Sequence, residues 1–200
     1  MCSSDLVGLT PEGQRVTVAD VGVAGALTAL LRDALNPNLL QTSEHTPVLI
    51  HTGPFANISH GNSSVAADLV ALKLAECTVT EAGFGSDLGL EKLIHLKCPV
   101  LGVSPDVVVL VCTVRALKFH SGFFTTSNSR TLDPGIAREH LEAVRAGGSN
   151  LRQHIENIEK LGLPVVVAVN RFAGDTEAER SEEHTSELQS HHDLVCRLLL

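Results

Sequence analysis

Residues 107–118 read VVVLVCTVRALK, an apolar run that ends in a polar and cationic segment. β-Branched residues fill the first half of this run, which favours a short strand that is buried on both faces. Comparable apolar runs occur at three other places in the chain. We therefore predict four strands, at Pro47–His51, Cys77–Thr80, Val107–Cys112 and Pro164–Val169.

Helical patterns separate the predicted strands. We predict helices over about 19–35, from Ser63 or Ser64 onward, over 88–96 and over 137–161, and we expect Gly147 and Gly148 to weaken the middle of the last one. The first helix carries an apolar stripe formed by Val23, Leu27, Leu30, Leu31 and Leu35. This alternation predicts an α/β fold with a parallel sheet and helices on both faces. Ligands bind beyond the carboxyl ends of the strands in such sheets.

Composition excludes several classes of function. The chain has 15 Lys and Arg against 23 Asp and Glu, for a net charge of −8, which argues against nucleic-acid binding. No apolar run approaches the length of a membrane span, and no export signal opens the chain, so we expect a cytoplasmic protein without a membrane partner. The five Cys residues lack CxxC spacing, which fits reduced thiols.

The loop after the first strand, residues 51–64, is rich in Gly, Asn, His and Ser. It precedes a helix start, where free N–H groups and polar side chains can bind a phosphate or an oxyanion. The alternative is an ordinary turn in which Ser63 caps the helix and His60 is a structural histidine. The candidate residues of this loop are Gly53, Asn57, His60, Gly61 and Asn62.

The loop after the second strand contains Glu81, Gly83, Gly85 and Asp87. An acidic residue at a strand end followed by Gly-x-Gly is typical of magnesium-phosphate sites in α/β enzymes, and Glu81 is the candidate metal ligand. The alternative is that these carboxylates only favour a helix N-terminus.

The last two loops add cations and an amide. Arg115 and Lys118 are three residues apart and can face the same way, which suits an anionic substrate or transition state. The alternative is a pair of solvated cations. Asn170 follows the fourth strand and either contacts a nucleotide base or caps a turn.

The two ends of the chain differ from the rest. Residues 1–6 and the segment 180–190 resemble translations of the two senses of a sequencing adapter. We therefore expect residues 7–179 to form a partial nucleotide-binding α/β domain, with segments 1–6 and 180–200 as adapter-derived additions.

Several long motifs resemble formate–tetrahydrofolate ligases. They are TPVLIHTGPFANISHGNSS (46–64), VTEAGFGSDLGLEK (79–92), VCTVRALK (111–118) and PVVVAVN (164–170), with DVGVAGA (20–26) and NPNLLQT (36–42) before them. The similarity covers residues 16–179 in order. It implies a P-loop NTPase-type domain related to the nitrogenase iron protein, and a homo-oligomeric parent enzyme that joins formate to tetrahydrofolate through formyl phosphate. MgATP is the implied cosubstrate, and a monovalent cation is a further candidate cofactor.

The resemblance also implies residue roles. It places Asn57, His60 and Asn62 with Arg115 and Lys118 at the formyl-phosphate region, and Glu81 and Asp87 on the metal-phosphate side. His120-Ser121-Gly122 departs from the His-Gly-Gly usual in the family, and Gly-x-Gly-Lys-Thr/Ser does not occur in these 200 residues. We therefore expect an inactive internal fragment of the ligase. The alternatives are a non-catalytic α/β module and another P-loop-type ligase.

Overall fold

The computed structural model of the chain describes residues 6–52, 55–57, 59–124, 133–170, 172–179 and 181–182. The chain divides into two compact units. Residues 1–54 and 62–81 form the first unit, and residues 55–61 and 82–200 form the second.

The first unit contains two antiparallel hairpins and three short α-helices. Strand β1 (Leu6–Leu9) pairs with β2 (Arg15–Thr17), and β3 (Asn38–Gln41) pairs with β4 (Pro47–Ile50). The helices are α1 (Val18–Val21), α2 (Ala24–Leu31) and α3 (Val65–Leu74), with a 3₁₀ turn at Asp33–Leu35.

Two strand predictions fall in this unit. The strand at 47–50 exists, but its expected parallel pairing is wrong, because it forms a hairpin with β3. The Thr42 N–H donates to the carbonyl of Thr46 at 3.0 Å and closes the turn. The predicted strand Cys77–Thr80 is also wrong. None of the described strands pairs with it, and Val79 is 91 % exposed.

The predicted helix over 19–35 is interrupted. Gly22 adopts a left-handed conformation (φ 75°) and ends α1, so α2 starts anew at Ala24. The apolar stripe expected along this helix is exposed, with Leu30 at 80 % and Leu35 at 73 %. The apolar residues of the stripe have helical spacing, but the other described residues do not bury them.

The second unit has a parallel βαβ core. Strands β5 (Val108–Thr113) and β6 (Val165–Asn170) pair in parallel from Val108 opposite Val165 to Thr113 opposite Asn170. Between them lie α5 (Val114–His120), a 3₁₀ turn (Pro134–Ala137) and α6 (Leu141–Lys160), and a helical stretch precedes β5. That stretch comprises π-helical turns at Ser86–Leu90 and Leu93–Lys97 and the helix α4 (Cys98–Leu101). The α/β class, the parallel sheet and both of these strands are confirmed.

Two apolar clusters form the core of the second unit. One joins Leu90, Leu93, Cys98, Ile158 and Leu163, and the other joins Cys112, Val114, Leu117, Val144 and Leu151. On β5, Val109 and Val111 remain 50 % and 62 % exposed. The described helices therefore cover the opposite face of the sheet more fully than this one.

The two glycines do not interrupt α6. Helix α6 runs unbroken through Gly147 and Gly148. A Cβ atom on Gly147 would lie 1.9 Å from the carbonyl oxygen of Leu117. Glycine therefore lets α6 approach the backbone of α5 closely, and this packing compensates for its poor helix propensity.

Candidate functional site

The carboxyl ends of β5 and β6 lie side by side, since Thr113 pairs with Asn170. The Thr113 hydroxyl accepts a hydrogen bond from the Ala116 N–H at 2.9 Å and caps α5. Arg115 is therefore in the first turn of α5, where it is exposed. Its guanidinium carbon lies 4.9 Å from the centroid of the Phe172 ring. This cation–π contact orients a planar donor group at the sheet edge that Asn170 shares.

Lys118 does not share the exposed face of Arg115. Its side chain is 3 % exposed, and its ammonium lies 2.5 Å from the carboxylate of Glu179. It also donates to the carbonyl oxygens of Ile136 and Arg138, each at 3.0 Å. An ammonium has three N–H donors, so these three acceptors use its full capacity. The expectation that both cations face one way is therefore wrong, because Lys118 is bound inside the unit.

Glu179 is the buried partner that sequence reasoning missed. Its side chain is 0 % exposed, and it accepts hydrogen bonds from the backbone N–H groups of His140 (2.9 Å) and Thr176 (3.3 Å). Burial raises the pKa of the Glu179 carboxyl, but the hydrogen bonds from Lys118 and these N–H groups outweigh it, so the net pKa lies below its usual value. Glu179 therefore stays ionised and ties segment 172–179 to α5.

Asn57 and His60 lie in a tightly held loop, which we call the Asn57 loop (residues 55–57 and 59–61). Lys92 donates to the carbonyl oxygens of Ala56 and Ser59, the latter at 2.7 Å. The Gly83 N–H donates to the carbonyl of Gly61 at 2.8 Å. Asn57 is exposed and His60 is half-buried, with its Nδ1 3.0 Å from the Ser59 hydroxyl. The loop thus presents two polar side chains from a fixed backbone.

Glycine permits close packing beneath this loop. Gly61 has φ 75°, and a Cβ there would lie 2.8 Å from the Cβ of Ala56 and 3.1 Å from the Cα of Gly89. A side chain at Gly61 would therefore strain the backbone and displace the loop.

The Gly83–Asp87 segment leads into the first π-helical turn. Gly85 has φ 95° and precedes this turn, and the Asp87 side chain is exposed. The Ser86 hydroxyl lies 2.6 Å from Nδ1 of His154 on α6, which fixes the start of the turn. Asp87 is therefore available to solvent from a backbone that is anchored to α6.

Two of the described candidate residues belong to the first unit. Asn62 is 1 % exposed, and its side-chain amide donates to the backbone carbonyl of Glu81 at 3.4 Å. The Glu81 side chain is exposed. In the same unit the Ser64 hydroxyl caps α3 by accepting from the Ala67 N–H at 3.0 Å, and it lies 2.7 Å from Nδ1 of His51. Asn62 thus acts on the backbone, whereas the Glu81 carboxylate is free to meet a ligand.

The candidate metal ligand, Glu81, offers one carboxylate. Within the described part of the chain, no group of three or more His, Cys, Asp or Glu side chains is arranged to hold a metal. Mg²⁺ is commonly bound by one or two carboxylates together with substrate phosphates, and an exposed Glu81 fits that pattern. Gly53, the remaining candidate, lies outside the described residues.

Most of the described candidate residues therefore fall into three groups. Asn57, His60, Gly61 and Gly83 share one loop cluster, Arg115 and Asn170 share the sheet edge, and Asn62 and Glu81 are adjacent in the first unit. Lys92 and Glu179 were missed, although both fix candidate residues. Lys92 is the last residue of the motif at 79–92 and Glu179 follows β6, but neither residue has a local sequence signature.

Comparison with known proteins identifies the family. The family model described as "Formate--tetrahydrofolate ligase" matches residues 3–196. The chain belongs to the formate–tetrahydrofolate ligase family. The match extends over both units, and it confirms the family resemblance that the motifs indicate.

Curated relatives of the family agree with this assignment. A formate–tetrahydrofolate ligase of Chloroflexus aggregans is 53 % identical over 174 residues, which are 87 % of this chain and 30 % of the relative. One from Herpetosiphon aurantiacus is 51 % identical over 190 residues, 95 % of this chain and 32 % of the relative. The human "C-1-tetrahydrofolate synthase, cytoplasmic" is 53 % identical over 177 residues, 87 % of this chain and 19 % of the relative. The chain spans about a fifth to a third of the length of these relatives.

The terminal segments and the helices add two observations. Leu6 pairs with Thr17 in the β1–β2 hairpin, and Glu182 accepts from Nη2 of Arg145 at 2.8 Å. None of the described helices combines the length and apolar character that crossing a bilayer requires.

Proposed function

We propose that the whole protein represented by this chain joins formate to tetrahydrofolate at the expense of ATP and forms 10-formyltetrahydrofolate. The observation that carries this proposal is the family match over residues 3–196, with relatives named formate–tetrahydrofolate ligase at 51–53 % identity. The exposed Arg115 at the carboxyl edge of the parallel sheet adds geometric support, since ligands bind at this edge in α/β sheets.

The proposed reaction has two steps. An oxygen of formate attacks the γ-phosphorus of ATP, ADP leaves, and formyl phosphate forms. The N10 amine of tetrahydrofolate then attacks the formyl carbon, phosphate leaves with the bonding electron pair, and the amine loses its proton. Negative charge develops on phosphoryl oxygens in the first step and on the formyl oxygen in the second, so fixed donors that face these oxygens accelerate both.

We assign this donor role to Arg115, Asn57 and His60. Arg115 is exposed, and its planar fork can bind two phosphate oxygens together. Asn57 and His60 present their side chains from the Asn57 loop, where close packing requires glycine at position 61. Gly53 and Asn62 flank this loop in the same sequence motif. Lys118 contributes indirectly, because its bonds to Glu179 and two carbonyls anchor α5, which carries Arg115.

We assign Glu81 and Asp87 to the magnesium-phosphate side, with Gly83 and Gly85 allowing the backbone between them to approach phosphates. Mg²⁺, when bound with ATP, would neutralise phosphate charge. Asn170 would contact the nucleotide. A monovalent cation is a further proposed cofactor, and formate, ATP and tetrahydrofolate are the proposed small-molecule partners.

The wider setting follows from the family. We propose a P-loop NTPase-type fold for the complete domain, a cytoplasmic location, as in the name of the human relative, and a homo-oligomeric enzyme. We also propose that residues 7–179 are the ligase segment and that residues 1–6 and 180–200 are adapter-derived.

A chimera tests the proposed function. The matching segment of the Chloroflexus aggregans ligase is exchanged for that of this chain, and formation of 10-formyltetrahydrofolate is followed with and without formate. We expect formate- and ATP-dependent product. A folded, oligomeric chimera that hydrolyses ATP but forms no product would instead favour a different P-loop-type ligase, and one that does neither would favour a non-catalytic module.

A further inference from the structure

Lys92 lies under the Asn57 loop and bonds to it on both sides of Asn57. Its ammonium donates to the carbonyl of Ala56, just before Asn57, and to that of Ser59, just before His60, at 2.7 Å for the latter. Lys92 is half-buried, and it lies between the two π-helical turns of the 86–101 stretch. A charge-assisted bond to each carbonyl therefore holds the loop against that helical stretch.

The direction of these two bonds fixes the direction of two backbone N–H groups. A trans peptide is planar, so the N–H of the following residue points opposite to the carbonyl. Because the carbonyls of Ala56 and Ser59 point at Lys92, the N–H groups of Asn57 and His60 point away from it. Within the described residues, neither N–H donates to another backbone group. The two donors therefore point to the side of the loop that faces away from Lys92.

The charge of Lys92 also strengthens these donors. An ammonium on the carbonyl oxygen polarises the peptide, and chains of hydrogen bonds polarise one another in this way. Backbone N–H groups of a loop can bind an anion when they face the same side, as in the anion-binding concavities formed by successive residues. The packing beneath them is close, since Ala56 is 0 % exposed and a Cβ on Gly61 would lie 3.1 Å from the Cα of Gly89.

We infer that Lys92 is a positioning residue for the acyl-phosphate site: it orients the N–H groups of Asn57 and His60 toward the phosphoryl or formyl oxygens without touching the substrate itself. This inference rests on the proposed function, because that function places formyl phosphate at the Asn57 loop. It adds two backbone donors and the residue that aims them.

The first arm of the test needs no ligand. Amide hydrogen exchange is measured by NMR in the 200-residue chain, in Lys92→Met, Lys92→Arg and the control Lys160→Met, which removes one exposed cation from the end of α6. The reporters are the N–H of Ser59, which donates to Phe55 at 2.6 Å, and the N–H of Gly83, which donates to Gly61 at 2.8 Å. In Lys92→Met we expect both to exchange about tenfold faster or more, as for the loss of one charge-assisted hydrogen bond.

The variants and controls distinguish loss of the two Lys92 hydrogen bonds from general unfolding. Lys92→Arg should restore much of the protection, Lys160→Met should leave it unchanged, and amides of the β5–β6 pair should not change in any variant. If Lys92→Met fails to fold, Lys92→Gln, which keeps a donor but no charge, takes its place. Unchanged exchange at Ser59 and Gly83 in Lys92→Met, or in Lys92→Gln where it takes its place, would overturn the inference.

The second arm titrates acetyl phosphate, an acyl phosphate, at constant ionic strength and follows the amide shifts of Asn57 and His60. We expect saturable shifts in the wild-type chain and affinity weaker by about tenfold or more in Lys92→Met, with recovery in Lys92→Arg. Equal affinity in Lys92→Met and wild type would overturn the positioning role. A further outcome is faster exchange in Lys92→Met together with no acetyl phosphate shift at the loop of the wild-type chain. It would support the role of Lys92 in holding the loop but contradict the proposed placement of formyl phosphate there.

Discussion

Replacing Glu179 by Gln should destabilise the second unit strongly, because it leaves the ammonium of Lys118 buried without a counter-charge. Glu179 is 0 % and Lys118 is 3 % exposed in their side chains, so water cannot solvate the remaining charge. Removing one partner of a buried ion pair typically costs about 3–5 kcal/mol. The two carbonyls of Ile136 and Arg138 stay in place and solvate the ammonium in part, so we expect a loss of about 3 kcal/mol for Glu179→Gln.

The assay is urea unfolding of the 200-residue chain with a double-mutant cycle. Lys118→Met should cost a similar amount, because it leaves the carboxylate buried, and the double variant should cost less than the sum of the two. The matched control is Arg145→Met, which breaks the pair with Glu182, where the Arg145 side chain is 60 % exposed. That control should cost at most about 1 kcal/mol.

The result that would refute this reasoning is a Glu179→Gln cost no larger than that of Arg145→Met, or additive effects of the two buried substitutions. Either would mean that Lys118 does not depend on Glu179. Lys118 would then be available for a direct role at the formyl-phosphate site.

Three further predictions concern pH, packing and turnover. The pKa of Glu179 is lowered in the folded chain, so its stabilising effect is present above the unfolded pKa of about 4.3 and is lost as the pH falls through the folded pKa. The free energies of unfolding of wild type and Glu179→Gln should therefore converge on acidification. A constant difference between them down to acid pH would contradict this prediction. Gly147→Ala should cost about 1–3 kcal/mol or more, because its Cβ would meet the Leu117 carbonyl, whereas Gly25→Ala in α2, with no atom near its Cβ, should not destabilise in urea melts. The 200-residue chain alone should release no formate-dependent ADP in a coupled assay, since Gly-x-Gly-Lys-Thr/Ser does not occur in it; 10-formyltetrahydrofolate production by this chain would contradict that expectation.

Local patterns predicted the parallel pair but not the partners of every strand. The runs at β5 and β6 are apolar throughout, and a helix follows β5, so their pairing in parallel could be predicted. The run at 47–50 looks the same locally, yet it folds back on Asn38–Gln41, because a short connection permits a hairpin. Apolar composition thus predicted a strand, whereas its direction depended on which segment lay nearest.

The candidate site shows the same division. Arg115 and Asn170 could be placed at the sheet edge from the strand ends alone, since parallel strands end at the same side. The burial of Lys118 could not, because its partner Glu179 lies 61 residues further along the chain and beyond the next strand. From the sequence alone, Gly147 is likewise expected only to weaken the helix. Its close contact with the Leu117 backbone, which requires glycine, becomes visible only in the structure. Long-range contacts decided these cases, and spacing within one element does not encode them.

Arg115 is the residue that places the formyl-phosphate site at the sheet edge, so the decisive measurement is kcat of the active chimeric ligase with Arg115→Ala. Arg115 is exposed at the ligand edge of the sheet and contacts Phe172, and loss of one such donor typically lowers the rate by about a hundred- to a thousandfold. Arg32→Ala serves as the control, because its side chain is 85 % exposed and lies in the first unit. We predict that Arg115→Ala lowers kcat by that factor at an unchanged Tm while Arg32→Ala keeps kcat. A near-normal kcat in Arg115→Ala at the same Tm would contradict the placement of the formyl-phosphate site at this edge.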